Sequence, residues 1–129
     1  MTAEPEDLRF LAAVAEIPLG GLAFSYQWGP FPEGGVLVRT AAGVRAWRNV
    51  CRHLAVALDR ADPGRFATPD GRHLACGEHG ALYRPDDGVC VAGPCRGARL
   101  RPLPVVVRDG RVYLDHTALS DRFAGWGRP

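Results

Sequence analysis

Two short segments that each carry a cysteine and a histidine constrain the fold of this chain more than any other feature. The first is Cys51–His53, and the second, after a gap of 22 residues, is Cys76–His79. Gly77 and Gly80 disfavour a helix across the second segment, so both segments are expected to be loops. Thiolates and imidazoles are metal ligands, and a metal held by both segments requires the two loops to face each other. The stretch between them must then fold around one site.

Two kinds of metal centre suit the four side chains of these segments, which are Cys51, His53, Cys76 and His79. Zinc accepts any tetrahedral mixture of Cys and His. A 2Fe–2S cluster accepts the same set when each segment gives its Cys to one iron and its His to the other. Zinc fingers keep two Cys in one segment and two His on a helix in the other, whereas both segments here are mixed. The spacing favours the cluster, and zinc remains the alternative.

The rest of the chain predicts an all-β domain. Gly and Pro supply 27 of the 129 residues, which is typical of short elements joined by turns. A strand is predicted over residues 22–28, one hairpin around residues 40–43, and another around residues 109–110, which read Asp-Gly. Pro102 and Pro104 make the strand that enters the last hairpin an edge strand.

Charge and hydropathy exclude several classes of protein. The formal net charge of +2 is too small to indicate a nucleic-acid partner. No apolar run approaches the ~20 residues of a membrane span, and the acidic N-terminus does not resemble a signal peptide. We therefore expect a cytoplasmic protein with no membrane or nucleic-acid partner, whose four cysteines are metal ligands or thiols rather than a disulfide framework.

The mixed segments resemble those of the Rieske proteins, which bind a 2Fe–2S cluster with two Cys on one iron and two His on the other. Residues 49–54 are similar to the first cluster loop of that family, and residues 76–83 to the second. Residues 91–94, followed by Leu100, are similar to the proline loop that covers the cluster. The hairpin at residues 109–110 is similar to the last strands of the family.

The resemblance covers about residues 8–115 and implies a fold of small antiparallel sheets with an inserted cluster-binding subdomain. A single Rieske domain over residues 1–129 would divide into a β scaffold of about 8–50 and 98–115, a cluster-binding subdomain of about 51–97, and a loose tail at 116–129. The gap between the segments is longer than in the shortest members of the family. Turn signals at residues 62–64 and 69–71 predict an extra hairpin there.

The resemblance also implies a role for each site residue. Cys51 and Cys76 would hold the buried ferric iron, and His53 and His79 the outer iron through Nδ1. The residues expected around the cluster are Leu54, Ala81, Tyr83, Gly93 and Pro94. Tyr83 stands where the family has a hydroxyl donor to a Cys sulfur, and Ala81 stands where high-potential members have a donating Ser. One missing donor predicts a potential low in the Rieske range of roughly −150 to +300 mV.

The implied function is that of a soluble, ferredoxin-like electron carrier and not of an enzyme. It would pass single electrons from a reductase to a terminal oxygenase or a related enzyme. We do not expect the oxygenase itself, because only 34 residues follow Cys95, too few for a catalytic domain with a second iron. A small Rieske subunit of a larger reductase, such as a nitrite reductase, is one alternative, and a zinc-bound interaction module is another.

Two groups of residues near the proline loop keep more than one interpretation. Cys90 and Cys95 flank the loop and suit a pair of small buried residues, a local disulfide or a redox sensor. Arg96, Arg99 and Arg101 form a basic run that suits either a solvated strand face or a surface that steers an acidic redox partner.

Overall fold

A computed structural model describes residues 7–78 and 80–119 and shows an almost entirely β architecture, as the composition predicts. The strands in the described residues are β1 (Leu8–Ala13), β2 (Leu22–Trp28), β3 (Phe31–Thr40), β4 (Gly43–Arg48), β5 (Leu74–Ala75), β6 (Leu82–Tyr83), β7 (Cys90–Ala92), β8 (Val105–Arg108) and β9 (Arg111–Asp115). A 3-10 turn, Val14–Glu16, follows β1, and residues 116–119 are helical. None of the helical segments in this part of the chain has the length and apolar character to cross a bilayer.

Two three-stranded antiparallel sheets form a scaffold from the two ends of the chain. One has the order β1-β9-β8 and the other β2-β3-β4. Their facing side chains share one apolar core, in which Ile17, Leu37, Val112 and Leu114 are completely buried. Leu119 also packs into this core, whereas residues 120–129 of the tail lie outside the described residues.

The third sheet, β5-β6-β7, is inserted in the chain between β4 and β8. It has its own buried cluster, which includes Phe66, Leu74, Tyr83 and Leu100, and which meets the scaffold at Trp47. The extra residues before β5 form a small hairpin, since the Thr68 N–H bonds the His73 carbonyl at 2.9 Å. The predicted extra hairpin in the gap is therefore confirmed.

The hairpins lie where the turn residues of the sequence predict them. Asp109 and Gly110 have φ values of 52° and 72°, the positive pair that a tight two-residue turn between β8 and β9 requires. Strand β8 begins directly after Pro104 and lies at the edge of its sheet, as expected. Strand β3, in contrast, begins earlier than its apolar run suggests. A Cβ at Gly35 would collide with the Phe24 ring opposite, so glycine makes room for an aromatic side chain there.

Candidate metal centre

The fold brings the two predicted cysteine ligands together. Cys51 lies in the loop after β4, and Cys76 directly follows β5. Their side chains are 2% and 1% exposed, and the two thiols are hydrogen-bonded to each other. Two residues 25 positions apart in the chain therefore form one buried sulfur pair at the junction between the scaffold and the inserted sheet.

The first loop turns its imidazole outward. The Cys51 N–H bonds the Val56 carbonyl at 2.8 Å, and the Val56 N–H bonds the Leu54 carbonyl at 2.7 Å. This closes a tight turn in which residues 52–55 are all exposed, His53 among them. A buried sulfur and an exposed imidazole thus lie two residues apart, because the turn reverses direction between them.

A network of side-chain hydrogen bonds holds the first loop in place. The Asn49 Oδ1 accepts the Leu58 N–H at 2.9 Å, and the Asn49 Nδ2 donates to the Asp59 carboxylate at 3.0 Å. The other Asp59 oxygen accepts the Gly64 N–H at 2.9 Å. One carboxamide therefore holds both ends of the loop, and sequence reasoning did not single it out.

The second loop is a turn of the same kind. The Gly80 N–H bonds the Cys76 carbonyl at 3.0 Å, and the Cys76 N–H bonds the Ala81 carbonyl at 2.9 Å. His79, the remaining predicted ligand, lies outside the described residues. Its neighbours in the chain, Glu78 and Gly80, are both exposed at the turn.

The predicted proline loop meets the second loop. Gly93 has a φ of +96°, and a Cβ on it would lie 2.8 Å from the Ala81 Cα and 3.2 Å from the Gly80 carbonyl oxygen. Pro94 next to it is exposed, whereas Ala81 is completely buried. Glycine is required at residue 93 both for its backbone angle and for this close approach. The methyl side chain of Ala81 has no hydrogen-bond donor, as expected for an alanine.

Tyr83 connects the inserted sheet to the first loop. Its hydroxyl lies 3.3 Å from the Cys51 sulfur and accepts the Arg52 N–H at 2.9 Å. Burial raises the pKa of Tyr83, so its hydroxyl stays protonated and able to donate. For Cys51, burial opposes ionisation, but hydrogen bonds from Tyr83 and from the loop amides outweigh it and lower the thiol pKa. Such a site favours a thiolate, the form of cysteine that binds metal.

Three arginine side chains lie together beside the exposed loop. A cavity of about 240 Å³ beside residues 50–55 is lined by Arg48, Arg52 and Arg101. Burial, together with the proximity of Arg52 and Arg48, lowers the pKa of Arg101. Arg48 is paired with Glu33 at 2.7 Å. This convergence was missed, because Arg48 and Arg52 lie some 50 residues from Arg101 in the chain.

The rest of the predicted basic run lies elsewhere and bonds to backbone. The Arg96 Nε donates to the Val91 carbonyl at 3.1 Å, and the Arg99 Nε to the Asp87 carbonyl at 2.8 Å. Arg99 also lies over the Trp47 ring at 5.9 Å. Of the three, only Arg101 reaches the first loop.

The donor chemistry fits a 2Fe–2S cluster. Among residues 7–78 and 80–119, no three Cys, His, Asp or Glu side chains converge on a single ion site. Each iron of a cluster with mixed ligands takes only two protein ligands. A cluster site therefore needs two pairs of ligand side chains, and not three or four side chains around one ion. The buried pair of sulfurs, with a tyrosine hydroxyl on one of them and an imidazole on the surface, supplies one such pair and half of the other.

Solved structures with the same fold include two ferredoxins and a terminal oxygenase. The Sphingomonas yanoikuyae B1 ferredoxin matches with a TM-score of 0.61 and 24% identity, over 84% of this chain and 97% of that chain. The ferredoxin of carbazole 1,9a-dioxygenase from Nocardioides aromaticivorans IC177 matches with a TM-score of 0.61 and 23% identity, over 83% and 95%. The terminal oxygenase of the same system matches with a TM-score of 0.62 and 25% identity, over 83% of this chain and 29% of that chain.

A search of curated protein sequences found no match to this chain. The family comparison is decisive, since residues 11–110 match the Rieske [2Fe-2S] domain, for which a 2Fe–2S cluster is the implied cofactor. This span contains both loops, the proline loop and strands β2 to β8. The chain belongs to the Rieske [2Fe-2S] domain family.

Proposed function

We propose that this protein is a ferredoxin-like carrier of single electrons in the cytoplasm, running between a reductase and a terminal oxygenase or a related enzyme. The observation that carries the proposal is the buried Cys51–Cys76 sulfur pair beside the exposed His53. Solved ferredoxins that cover 82–84% of this chain share its fold, and one of them is in complex with its oxygenase. When bound, the cluster supplies a one-electron couple.

The four proposed ligands divide into a buried and an exposed pair. Cys51 and Cys76 would hold the inner iron, and His53 and His79 the outer one. Two thiolates and two neutral imidazoles cancel the charge of an oxidised 2Fe–2S core, so an added electron enters a neutral site. Four thiolates would place that electron on a site that is already negative, which is why histidine ligands raise the potential. The exposed imidazole gives the electron a short path to a partner.

The surface around His53 suits an acidic redox partner. Leu54 next to it is 46% exposed and offers an apolar contact. Arg52 and Arg101 at the neighbouring cavity add positive charge on one side of that contact, whereas the charge of Arg48 is balanced by Glu33. Complementary charge around an apolar centre steers encounter and fixes orientation. A surface of this kind would let the carrier dock briefly on an enzyme and leave again.

Metal analysis of protein purified without oxygen tests the proposal. We expect two irons and two acid-labile sulfides per chain, together with the paramagnetic signal of a mixed-valence pair after reduction. A colourless protein with stoichiometric zinc would support the interaction module instead.

Single substitutions then test the ligand assignment. We expect Cys51→Ser, Cys76→Ser, His53→Ala and His79→Ala each to abolish or strongly reduce iron incorporation, because each removes one ligand. Cys90→Ser and His116→Ala are the matched controls and should retain the metal. Full iron content in any of the four ligand variants would contradict that assignment.

A further inference from the structure

Cys90 and Cys95 lie side by side, next to Tyr83. Their sulfur atoms are 3.3 Å apart, and the Cys95 sulfur lies 3.2 Å from the Tyr83 hydroxyl. The turn between them is closed by backbone bonds, with the Cys90 N–H on the Ala98 carbonyl at 2.7 Å and the Ala98 N–H on the Cys95 carbonyl at 2.9 Å. Cys90 is 1% exposed, whereas Cys95 is half-buried.

We propose that Cys90 and Cys95 are a redox-active dithiol that closes to a disulfide by exchange with a small disulfide such as oxidised glutathione. The Cys95 thiolate attacks one sulfur of the small disulfide, forms a mixed disulfide and releases the first small thiol. The Cys90 thiolate then attacks the Cys95 sulfur, forms the Cys90–Cys95 bond and releases the second. The protein thiols lose two electrons and two protons, and the small disulfide gains both.

The geometry supports this order of events. A disulfide bond is about 2.05 Å long, so the sulfurs must approach by only about 1.2 Å. Cys95 is the more accessible thiol and therefore meets the small disulfide first, while the buried Cys90 is positioned to resolve the mixed disulfide. The backbone turn keeps the two residues close before the bond forms, so little chain entropy is lost on closure.

The dithiol is also connected to the site through Tyr83, a step that rests on the proposed function. The Tyr83 hydroxyl lies between the Cys51 and Cys95 sulfurs and has a single proton to donate. When Cys51 is a metal-bound thiolate, the hydroxyl donates to it, and the Cys95 S–H, which donates to the Cys90 sulfur in the structure, turns to the Tyr83 oxygen. Such a chain of donors strengthens the hydrogen bond from the Tyr83 hydroxyl to the Cys51 sulfur. Disulfide formation removes the S–H, weakens the donation to Cys51 and lowers the reduction potential.

Incubation of the iron-loaded protein in a series of glutathione buffers, followed by alkylation and peptide mass spectrometry, tests the dithiol. We expect oxidising buffers to remove two hydrogens and to join Cys90 to Cys95 within one peptide, while the cysteines of the other loops are unchanged. Cys90→Ser should accumulate a glutathione adduct on Cys95, whereas Cys95→Ser should acquire little adduct on the buried Cys90. Complete alkylation of both thiols in every buffer would overturn the proposal.

Voltammetry of the dithiol and disulfide forms tests the connection to the site. We expect the disulfide form to have the lower potential, and the difference to vanish in Tyr83→Phe. Equal potentials in the two wild-type forms would overturn the connection. The two ideas fail in different ways, because a protein without iron contradicts the proposed function, whereas a loaded protein with unlinked thiols contradicts the dithiol.

Discussion

The Tyr83 hydroxyl lies 3.3 Å from the Cys51 sulfur, although 32 residues separate the two in the chain. Tyr83 is completely buried at the end of β6, and Cys51 is buried in the loop after β4. The contact therefore requires the inserted sheet to be correctly folded on the scaffold. It also places a neutral donor on a sulfur whose negative charge grows when the site is reduced.

Tyr83→Phe should lower the reduction potential, because the hydrogen bond to the Cys51 sulfur is stronger in the reduced state. If that strengthening is about 1 kcal/mol, the one-electron potential falls by about 40 mV. Protein-film voltammetry at pH 7 measures the shift. Tyr113→Phe in β9, which belongs to the scaffold, is the control and should leave the potential unchanged. A higher potential in Tyr83→Phe would contradict this role.

Ala81→Ser should raise the potential, because it introduces a hydroxyl donor at a completely buried position in the second loop. The expected rise is several tens of millivolts, from the same strengthening of a hydrogen bond on reduction. The double variant with Tyr83→Phe should return the potential towards that of the wild type. A wild-type potential above about +200 mV, near the top of the Rieske range, would contradict the inference that the missing donor at residue 81 keeps the potential low.

Local signals predicted more of this molecule than long-range ones did. The hairpin at residues 109–110 and the two loops that carry Cys51 and Cys76 were predicted, because turn residues and the Cys-His spacing are local features of the sequence. The early start of β3 was missed, since Gly35 belongs in a strand only because the Phe24 ring covers it. Two further contacts could not be predicted, because each joins residues that are far apart in the chain. Neither the convergence of Arg101 with Arg52 nor the approach of Cys95 to Tyr83 has a signature in one sequence.

Gly93→Ala should destabilise the protein more than Gly97→Ala does. Both glycines have positive φ, +96° and +91°, so both variants carry the backbone cost of about 1–2 kcal/mol. Only at residue 93 does the added methyl meet backbone, whereas residue 97 has nothing within 4 Å. The overpacking adds about 1–3 kcal/mol. Urea unfolding of the two variants measures the difference, and equal losses would show that the proline loop does not press on Ala81.

Asn49→Ala should loosen the first loop and speed the loss of metal. It removes the acceptor of the Leu58 N–H and the donor to Asp59, both in a half-buried network. An unsatisfied group of this kind costs about 1–3 kcal/mol. Iron release to a chelator, followed by visible absorbance, should be severalfold faster. Thr40→Ala, which removes two side-chain hydrogen bonds in the distant β3–β4 turn, is the control and should release iron at the wild-type rate.

Arg52→Glu should slow electron transfer from the reduced protein to an anionic oxidant. Arg52 is exposed in the first loop beside His53, so the substitution changes the charge at the expected exit of the electron by two units. In water, two unit charges about 10 Å apart interact by about 0.4 kcal/mol. With a trianion such as ferricyanide, the change is about 2.5 kcal/mol before screening.

Stopped-flow oxidation at several ionic strengths measures the effect. We expect a rate roughly tenfold lower than wild type at 0.01 M salt, where the Debye length is about 30 Å, and nearly equal rates at 1 M, where it is about 3 Å. Arg111→Glu, an equal change of charge on the exposed start of β9, is the matched control and should have a much smaller effect. A tricationic oxidant should show the opposite order. If both variants slow ferricyanide equally, net charge controls the rate, and the surface around His53 has no special part in it.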